Sequence, residues 1–246
     1  MNEDDAKYAL KHVKRVLDEE DITYWLDCGA LLGAVREGEL IPWDKDIDLG
    51  ARRRDLDRIN EAVQNLPDTM DVEININGPS IIYESCKVSL NIYKFNGKYA
   101  KRYFEVPRYF FSSKSGWTLG WLIILVEDEG KYNLVSSCST KVPDDFVKLI
   151  SKTFSVIPET ISISISKMLK SLRSKSYSKK LVKIPKKYFD TESKIELLDM
   201  KFLKPSPVEE YLEYRYGEDW RIPKKDYVFY EDDQAIVNNE IPLNSD

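Results

Sequence analysis

Three carboxylates occupy alternate positions in Trp43-Asp44-Lys45-Asp46-Ile47-Asp48-Leu49, and a glycine-opened stretch, Cys28-Gly29-Ala30-Leu31-Leu32-Gly33-Ala34-Val35-Arg36, lies just before them. If Asp46 to Leu49 is a strand, its period of two turns the acids to one face and buries Ile47 and Leu49. Acids a few ångströms apart raise one another's pKa unless a cation stands between them. Oxygen-only donors in that arrangement suit a hard ion, Mg2+ or Mn2+. A helix entered through Gly29 and Ala30 offers free N–H groups and a positive dipole end to phosphate. Together the two halves read as a phosphate–metal grip. Asp46 and Asp48 are its metal ligands, Asp44 its tuning acid or base, and Gly29 and Ala30 its phosphate turn.

The rest of the composition narrows the chemistry. His12 is the single histidine of the 246 residues and falls in a surface helix, so a histidine-based zinc site, a Ser-His-Asp triad and a Cys-His pair are all excluded. Cys28, Cys86 and Cys138 are odd in number, widely spaced and without a Cys-x-x-Cys, which fits buried thiols in a reducing compartment. The net charge of −5 argues against nucleic acid as a partner, with the lysine-rich run Lys167 to Lys187 as a local exception. The acidic start, Met1-Asn2-Glu3-Asp4-Asp5, is not a secretory signal, and the apolar run Trp121 to Val126 is too short to span a bilayer. A cytoplasmic location follows as the expectation, with contact to a membrane at most peripheral.

Several elements must position the grip. Ala9, Leu10, Val13, Val16 and Leu17 recur at helical spacing behind Asp4 or Asp5 as a cap, and Glu19-Glu20-Asp21 ends that helix. Ile22 to Cys28 alternates as a strand running into Gly29. Asp55 to Leu66 is a second helix stopped by Pro67. Strands are expected at Val72–Ile76, Ile81–Tyr83 and Val88–Tyr93, with turns at Asn77-Gly78-Pro79 and Asn96-Gly97, and a further hairpin across Asp128-Glu129-Gly130. From Asp144 the pattern turns helical, at 145–154 and at 158–174, where alternating Ile161, Ile163 and Ile165 fit a strand equally well. A short helix from Val208 closes at Gly217. The expectation is one α/β (α+β) domain, 1–246, with a mixed-sheet core over about 5–135 and a helical C-terminal part over about 144–225.

A helix opened by glycine and followed by an Asp-x-Asp strand is also the arrangement of the nucleotidyltransferase fold. Read as a unit, Gly29-Ala30-Leu31-Leu32-Gly33-Ala34-Val35-Arg36 with Ile41-Pro42-Trp43-Asp44-Lys45-Asp46-Ile47-Asp48 resembles the LicD family, which includes fukutin and fukutin-related protein. A distant stretch, Pro207-Val208-Glu209-Glu210-Tyr211-Leu212-Glu213-Tyr214-Arg215-Tyr216-Gly217-Glu218-Asp219-Trp220, is similar to the closing motif of the same family. The resemblance covers both ends and hardly touches 113–183.

It implies a Mg2+-dependent transferase that moves a phospho-alcohol group (phosphocholine, ribitol phosphate or similar) from a CDP-linked donor to a glycan or glycolipid acceptor. Asp44, Asp46 and Asp48 are the catalytic set it implies. Gly29, Ala30, Gly33, Arg36 and Asn91 are implied as donor- or phosphate-binding residues. Two positions depart from the family pattern. Ala30 lacks the hydroxyl usual there, which leaves the backbone N–H to act alone. Asn91 stands where an Asp is usual, so Asp44 or a neighbour such as Glu105 must compensate or the chain is catalytically weak. Arg36 can bind the donor or pair with Asp44 or Glu37, and Trp43 can pack the turn or stack a base. Transfer of NMP to a hydroxyl and a non-catalytic glycan- or nucleotide-binding homologue are the alternatives.

Overall fold

Helix α1 (Glu3–Glu19) begins one residue after Asn2, whose side chain accepts from the Asp4 N–H at 2.9 Å. Asn2, and not Asp4 or Asp5, is therefore the cap, which leaves Glu3, Asp4 and Asp5 in the first turn, where their charge complements the helix dipole. The computed structural model describes residues 1–75, 78–107 and 177–241. The expected 128–130 hairpin, the helices at 145–154 and 158–174, Cys138, the start of the lysine-rich run and the Glu105 side chain lie outside the described residues. The chain divides into two compact units, Met1–Phe104 with Leu181–Asn238 and Glu105–Lys180 with Asn239–Asp246. The first unit holds every residue of the predicted grip.

The sheet is mixed. Strand β1 (Tyr24–Leu26) leads directly into α2 (Cys28–Arg36), and β2 (Asp46–Arg52) returns antiparallel to β1 with Trp25 opposite Gly50. After α3 (Leu56–Ala62) come β3 (Asp71–Asn75), β4 (Gly78–Tyr83), β5 (Cys86–Asn96) and β6 (Tyr99–Pro107). β5 runs parallel to β2, with Asp48 opposite Ser89 and Gly50 opposite Asn91. The two-residue Gly97-Lys98 loop joins β5 to β6 as Asn96-Gly97 predicts, and Gly97 takes a positive φ of 57° there. Gly78 and Pro79, expected in a turn, instead open β4 and pair with Asn75 and Ile74.

The region after 177 differs from the helical expectation. It holds strands β7 (Tyr177–Pro185), β8 (Ser193–Leu197) and β9 (Met200–Lys204) before α4 (Val208–Tyr216), a short α5 (Phe229–Asp232) and β10 (Ile236–Ile241). The physical reason lies in the pattern Leu181-Val182-Lys183-Ile184. Val182 and Ile184 are buried and Lys183 between them is not, a period of two that the lysine-rich composition obscures. The described strands order as β10-β7-β6-β5-β2-β1-β9-β8, with the β3–β4 hairpin attached to β5 through β4.

Strand β1 sits between β2 and β9, and all three of its residues are buried. α1 packs Ala9, Leu10, Val13, Val16 and Leu17 against the sheet at β4 and β5. An aromatic group gathers about Trp25, whose ring centroid lies 4.9 Å from Phe189 and 5.7 Å from Tyr93. The Trp25 indole packs directly against Gly50, where a Cβ would come within 2.2 Å of the ring nitrogen. No helix of the described residues is long and apolar enough to cross a membrane.

Gly50→Ala should destabilise the fold by about 1–3 kcal/mol, the usual penalty for overpacking a filled core. Urea unfolding measures it, and Trp25→Leu in the same chain should recover part of the loss. An unchanged midpoint for Gly50→Ala would mean that Trp25 can leave Gly50 without penalty.

Candidate active site

Asp46, Ile47, Asp48 and Leu49 alternate between half-buried acids and buried aliphatics, so β2 carries the acids on one face as the period of two requires. Asp44 reaches the same place by another route. The Asp44 N–H donates to the Ile41 carbonyl at 3.0 Å, closing a turn with Pro42 at its second position. This turn lays the Asp44 carboxylate against Gly29. A Cβ at Gly29 would meet Asp44 Oδ2 at 2.2 Å, so the contact exists only because residue 29 is glycine. Asp44, Asp46 and Asp48 thus meet at the N-terminal end of α2.

Electrostatics record the crowding. Burial and then the neighbouring Asp46 push the Asp44 carboxyl up to about 6. Burial, Asp46 and Asp27 push Asp48 up to about 8, against the opposing pull of Arg102. Among the described residues, no three His, Cys, Asp or Glu side chains are arranged as a ready metal cage. The donor chemistry nevertheless fits a hard divalent cation. Asp44 and Asp48 are carboxylates whose proton affinity is raised chiefly by burial and by neighbouring acids, and a cation relieves both effects.

Behind the acids lies a polar cluster. Asp27 precedes α2 at its N-cap position, yet its side chain caps nothing. It turns inward, fully buried, and accepts from Arg215 Nη1 at 2.8 Å, Tyr211 Oη at 3.1 Å, Tyr93 Oη at 2.7 Å and Asn91 Nδ2 at 3.2 Å. Burial alone would raise the Asp27 carboxyl. Arg215, Arg102 and the Tyr93 hydroxyl more than offset it and hold the group below its ordinary value. Arg215, itself fully buried, also donates to Asp233 from Nε at 3.0 Å and from Nη2. Asn91 Nδ2 donates to Asp48 Oδ1 at 3.1 Å as well, while its amide oxygen accepts from Arg102 Nη1. Cys28 adopts a positive φ of 44° at the start of α2, and its buried thiol, pushed up by burial, accepts from Arg215 Nη2 at 3.5 Å.

The predicted residues therefore separate. Gly29, Asp44, Asp46 and Asp48 come together at the start of α2. Ala30 is buried there. Gly33 lies one turn further on, where a Cβ would come 2.6 Å from the Glu39 carbonyl, so its smallness lets the returning chain cross α2. Arg36 pairs with Glu37 at 2.6 Å, one of the partners foreseen for it. Trp43 is exposed, with Lys225 Nζ 5.2 Å from its ring centroid. Asn91 faces the acids with its NH2 group and not with its oxygen. Asp27, Arg102, Arg215 and Asp233 were not foreseen. Only Arg215 left a trace, four residues after Tyr211 on one face of α4.

Residues 21–122 match the LicD/FKTN/FKRP nucleotidyltransferase domain. The LicD match takes in β1, α2, β2 and β5, hence every acid of the site, and stops short of α4. Ribitol 5-phosphate transferase FKRP of Homo sapiens and its counterpart in Mus musculus are each 48% identical over 46 residues, 19% of this chain and 9% of theirs. The chain thus matches about a tenth of the length of those relatives. Among solved structures, the crystal structure of ANT(2")-Ia in complex with adenylyl-2"-tobramycin is similar over 37% of this chain and 51% of that chain, at 17% identity and a TM-score of 0.31. The second motif, outside the LicD match, is tied to the first through Arg215 and Tyr211 on Asp27.

Arg215→Met leaves Asp27 and Asp233 buried without their cation and should destabilise the fold by about 3–5 kcal/mol, read from denaturant midpoints; a loss below about 1 kcal/mol would mean that water reaches both acids. The raised Asp44 and Asp48 carboxyls act on stability in the opposite sense to Asp27. Each binds its proton more tightly in the folded chain than in the unfolded one, where a carboxyl titrates near 4. Their contribution is therefore complete at acid pH and lost as pH rises, through about 6 for Asp44 and about 8 for Asp48. In EDTA the melting temperature should fall between pH 5 and pH 8.5, and Asp48→Asn should flatten that slope. A melting temperature that rises over the same range would show that the acids are not crowded.

Proposed function

We propose that this chain is a divalent-cation-dependent transferase of the LicD type, moving a phospho-alcohol group from a CDP-linked donor to a hydroxyl of a glycan or glycolipid. The observation that carries the reading is the meeting of Asp44, Asp46 and Asp48 at the open N-terminus of α2. The LicD match over residues 21–122 and the likeness to a protein named ribitol 5-phosphate transferase support the class of group transferred.

Each part has a physical task. The Gly29 and Ala30 N–H groups, in the first turn of α2, have no carbonyl four residues back within the helix and are suited to donor phosphate oxygens. Asp27 does not compete for them, because its carboxylate is held by Arg215 and the two tyrosines. Asp46 and Asp48 would hold Mg2+ or Mn2+, which when bound supplies charge neutralisation for the phosphates. Asp44, at about 6, is poised to take the proton of an attacking hydroxyl near neutral pH. Phosphoryl transfer asks little more of a protein than positioning and charge. Lys225 over the exposed Trp43 ring marks the rim beside Asp44 where the rest of a ligand can lie.

The nucleotidyltransferase description of the matched domain favours a second reading, in which NMP itself passes to the acceptor. Labelled CDP-ribitol and CDP-choline separate the two. Release of free CMP with an alcohol-phosphate adduct is expected, and a CMP–acceptor adduct would establish the rival. Asp46→Asn and Asp48→Asn should each reduce turnover by about a hundredfold or more, with the fold retained by circular dichroism. Full turnover in either variant would overturn the assignment of the site. Ligand binding without a divalent cation and without turnover would instead identify a binding homologue.

A further inference from the structure

Asp27 and Asp48 approach one another through a single atom. Asn91 Nδ2 donates to Asp27 Oδ2 at 3.2 Å and to Asp48 Oδ1 at 3.1 Å, so one NH2 group bridges two carboxylates. The orientation of the amide is dictated by its neighbours. Arg102 can only donate and the two acids accept, so the oxygen must face Arg102 and the nitrogen the acids. Arg102 is buried, rests among Phe229 at 5.1 Å, Phe104 at 5.6 Å and Tyr93 at 5.7 Å, and leaves its Nε without a partner among the described residues. Its positive charge stands on the opposite side of the Asn91 amide from the two acids. A hydrogen bond from a cation to an amide oxygen polarises the N–H bonds at the other end.

We propose that the Asn91 amide, backed by the Arg102 guanidinium, takes the place of a cation between Asp27 and Asp48, so that the site binds one divalent cation and not two. The inference rests on the metal-dependent reading above and goes beyond it by fixing the number of ions and by making Arg102 and Asn91 positioning residues. Without a positive group between them, two carboxylates sharing a buried atom repel strongly. A cation could sit there, but the seat is filled by an NH2 group. Arg215 cannot fill it, since it is divided between Asp27 Oδ1 and Asp233. With Asp48 Oδ1 engaged by Asn91, the other oxygen of that carboxylate and the Asp46 carboxylate remain for a single ion. An aspartate at 91 would lie against two acids and one guanidinium. It would pair with Arg102 first and offer oxygen to a second ion only once Arg102 was gone.

The test counts ions and needs neither donor nor turnover. The full chain is titrated with Mn2+, and free Mn2+ is read by electron paramagnetic resonance. The wild type should bind one ion per chain, and Asn91→Asp alone should still bind one. Asn91→Asp combined with Arg102→Met should bind two. Arg102→Met alone should bind its one ion about tenfold more tightly, because a nearby positive charge has been removed. Arg102→Lys should keep the wild-type affinity. A residue that merely packs the core would, on removal, weaken the site, so weaker binding by Arg102→Met with its melt intact overturns the proposal. Where Arg102→Met does not fold, Arg102→Gln carries the same comparison. Two ions on the wild type or on Asn91→Asp alone also overturn it, and leave the transferase reading standing. No bound ion on any of these chains overturns both.

Discussion

The ion pair between Asp27 and Arg215, with Asp233 on the far side of the guanidinium, is the constraint the rest of the site depends on. Its members are fully or nearly fully buried, and its ends lie 188 residues apart in the chain. A buried pair contributes little net stability compared with apolar packing, but each member strands the others if removed. The fold therefore has to bring β1, β5 and α4 together for any of these groups to be accommodated. Tyr93 and Tyr211 complete the shell about Asp27, and neither hydroxyl is left unpaired. What this achieves locally is the redirection of a residue that in most helices would cap. Because Asp27 is occupied inside, its side chain does not cap the first turn of α2 on the side where Asp44, Asp46 and Asp48 stand.

Two kinds of carboxylate then sit within one network. Asp27 is held ionised by two arginines and a tyrosine. Asp44 and Asp48 are held toward their neutral forms by burial and mutual repulsion. The difference is one of environment and not of residue type, and it separates Asp27 from the acids to which we assign function. The structural acid has its charge matched from within the protein. Asp44 and Asp48 have theirs only partly offset, which is the condition under which an added cation or a proton gains most by binding.

The acid face was legible in the sequence because a strand's period is local. Ile47 and Leu49 buried with Asp46 and Asp48 beside them is a statement about four consecutive residues. Gly29 was legible as special, though its reason differs from a phosphate turn alone: the missing Cβ admits Asp44. Tyr211 and Trp220 were legible as core, and both are buried. Nothing local announces that Arg215 meets Asp27 or that Arg102 meets Asn91, since those contacts are made by the order of strands in the sheet. The strands after 177 were misjudged because lysines dominate the composition there, while the burial pattern of Val182 and Ile184 is carried by only two residues. Turn residues misled once, at Gly78-Pro79, where the strand begins one pair earlier than proline usually permits.

Asn91 bears on how such a site should be judged. By residue type alone, an amide in place of an acid suggests a site that has lost a ligand and with it a function. By charge the argument runs otherwise. Replacing a carboxylate by an amide removes one negative charge, and Arg102 beside it supplies one positive charge. The region between Asp27 and Asp48 is thus two charges more positive than an acid without that arginine would make it. That is the charge of one divalent ion. An amide alone would be a loss, and an arginine alone would be a misplaced cation, but joined through a hydrogen bond they do the electrostatic work of an ion that need not be recruited from solution. The quantity to compare between related sites is therefore the charge enclosed by the acids, and a departure in one ligand is informative only after the residues that touch it have been counted.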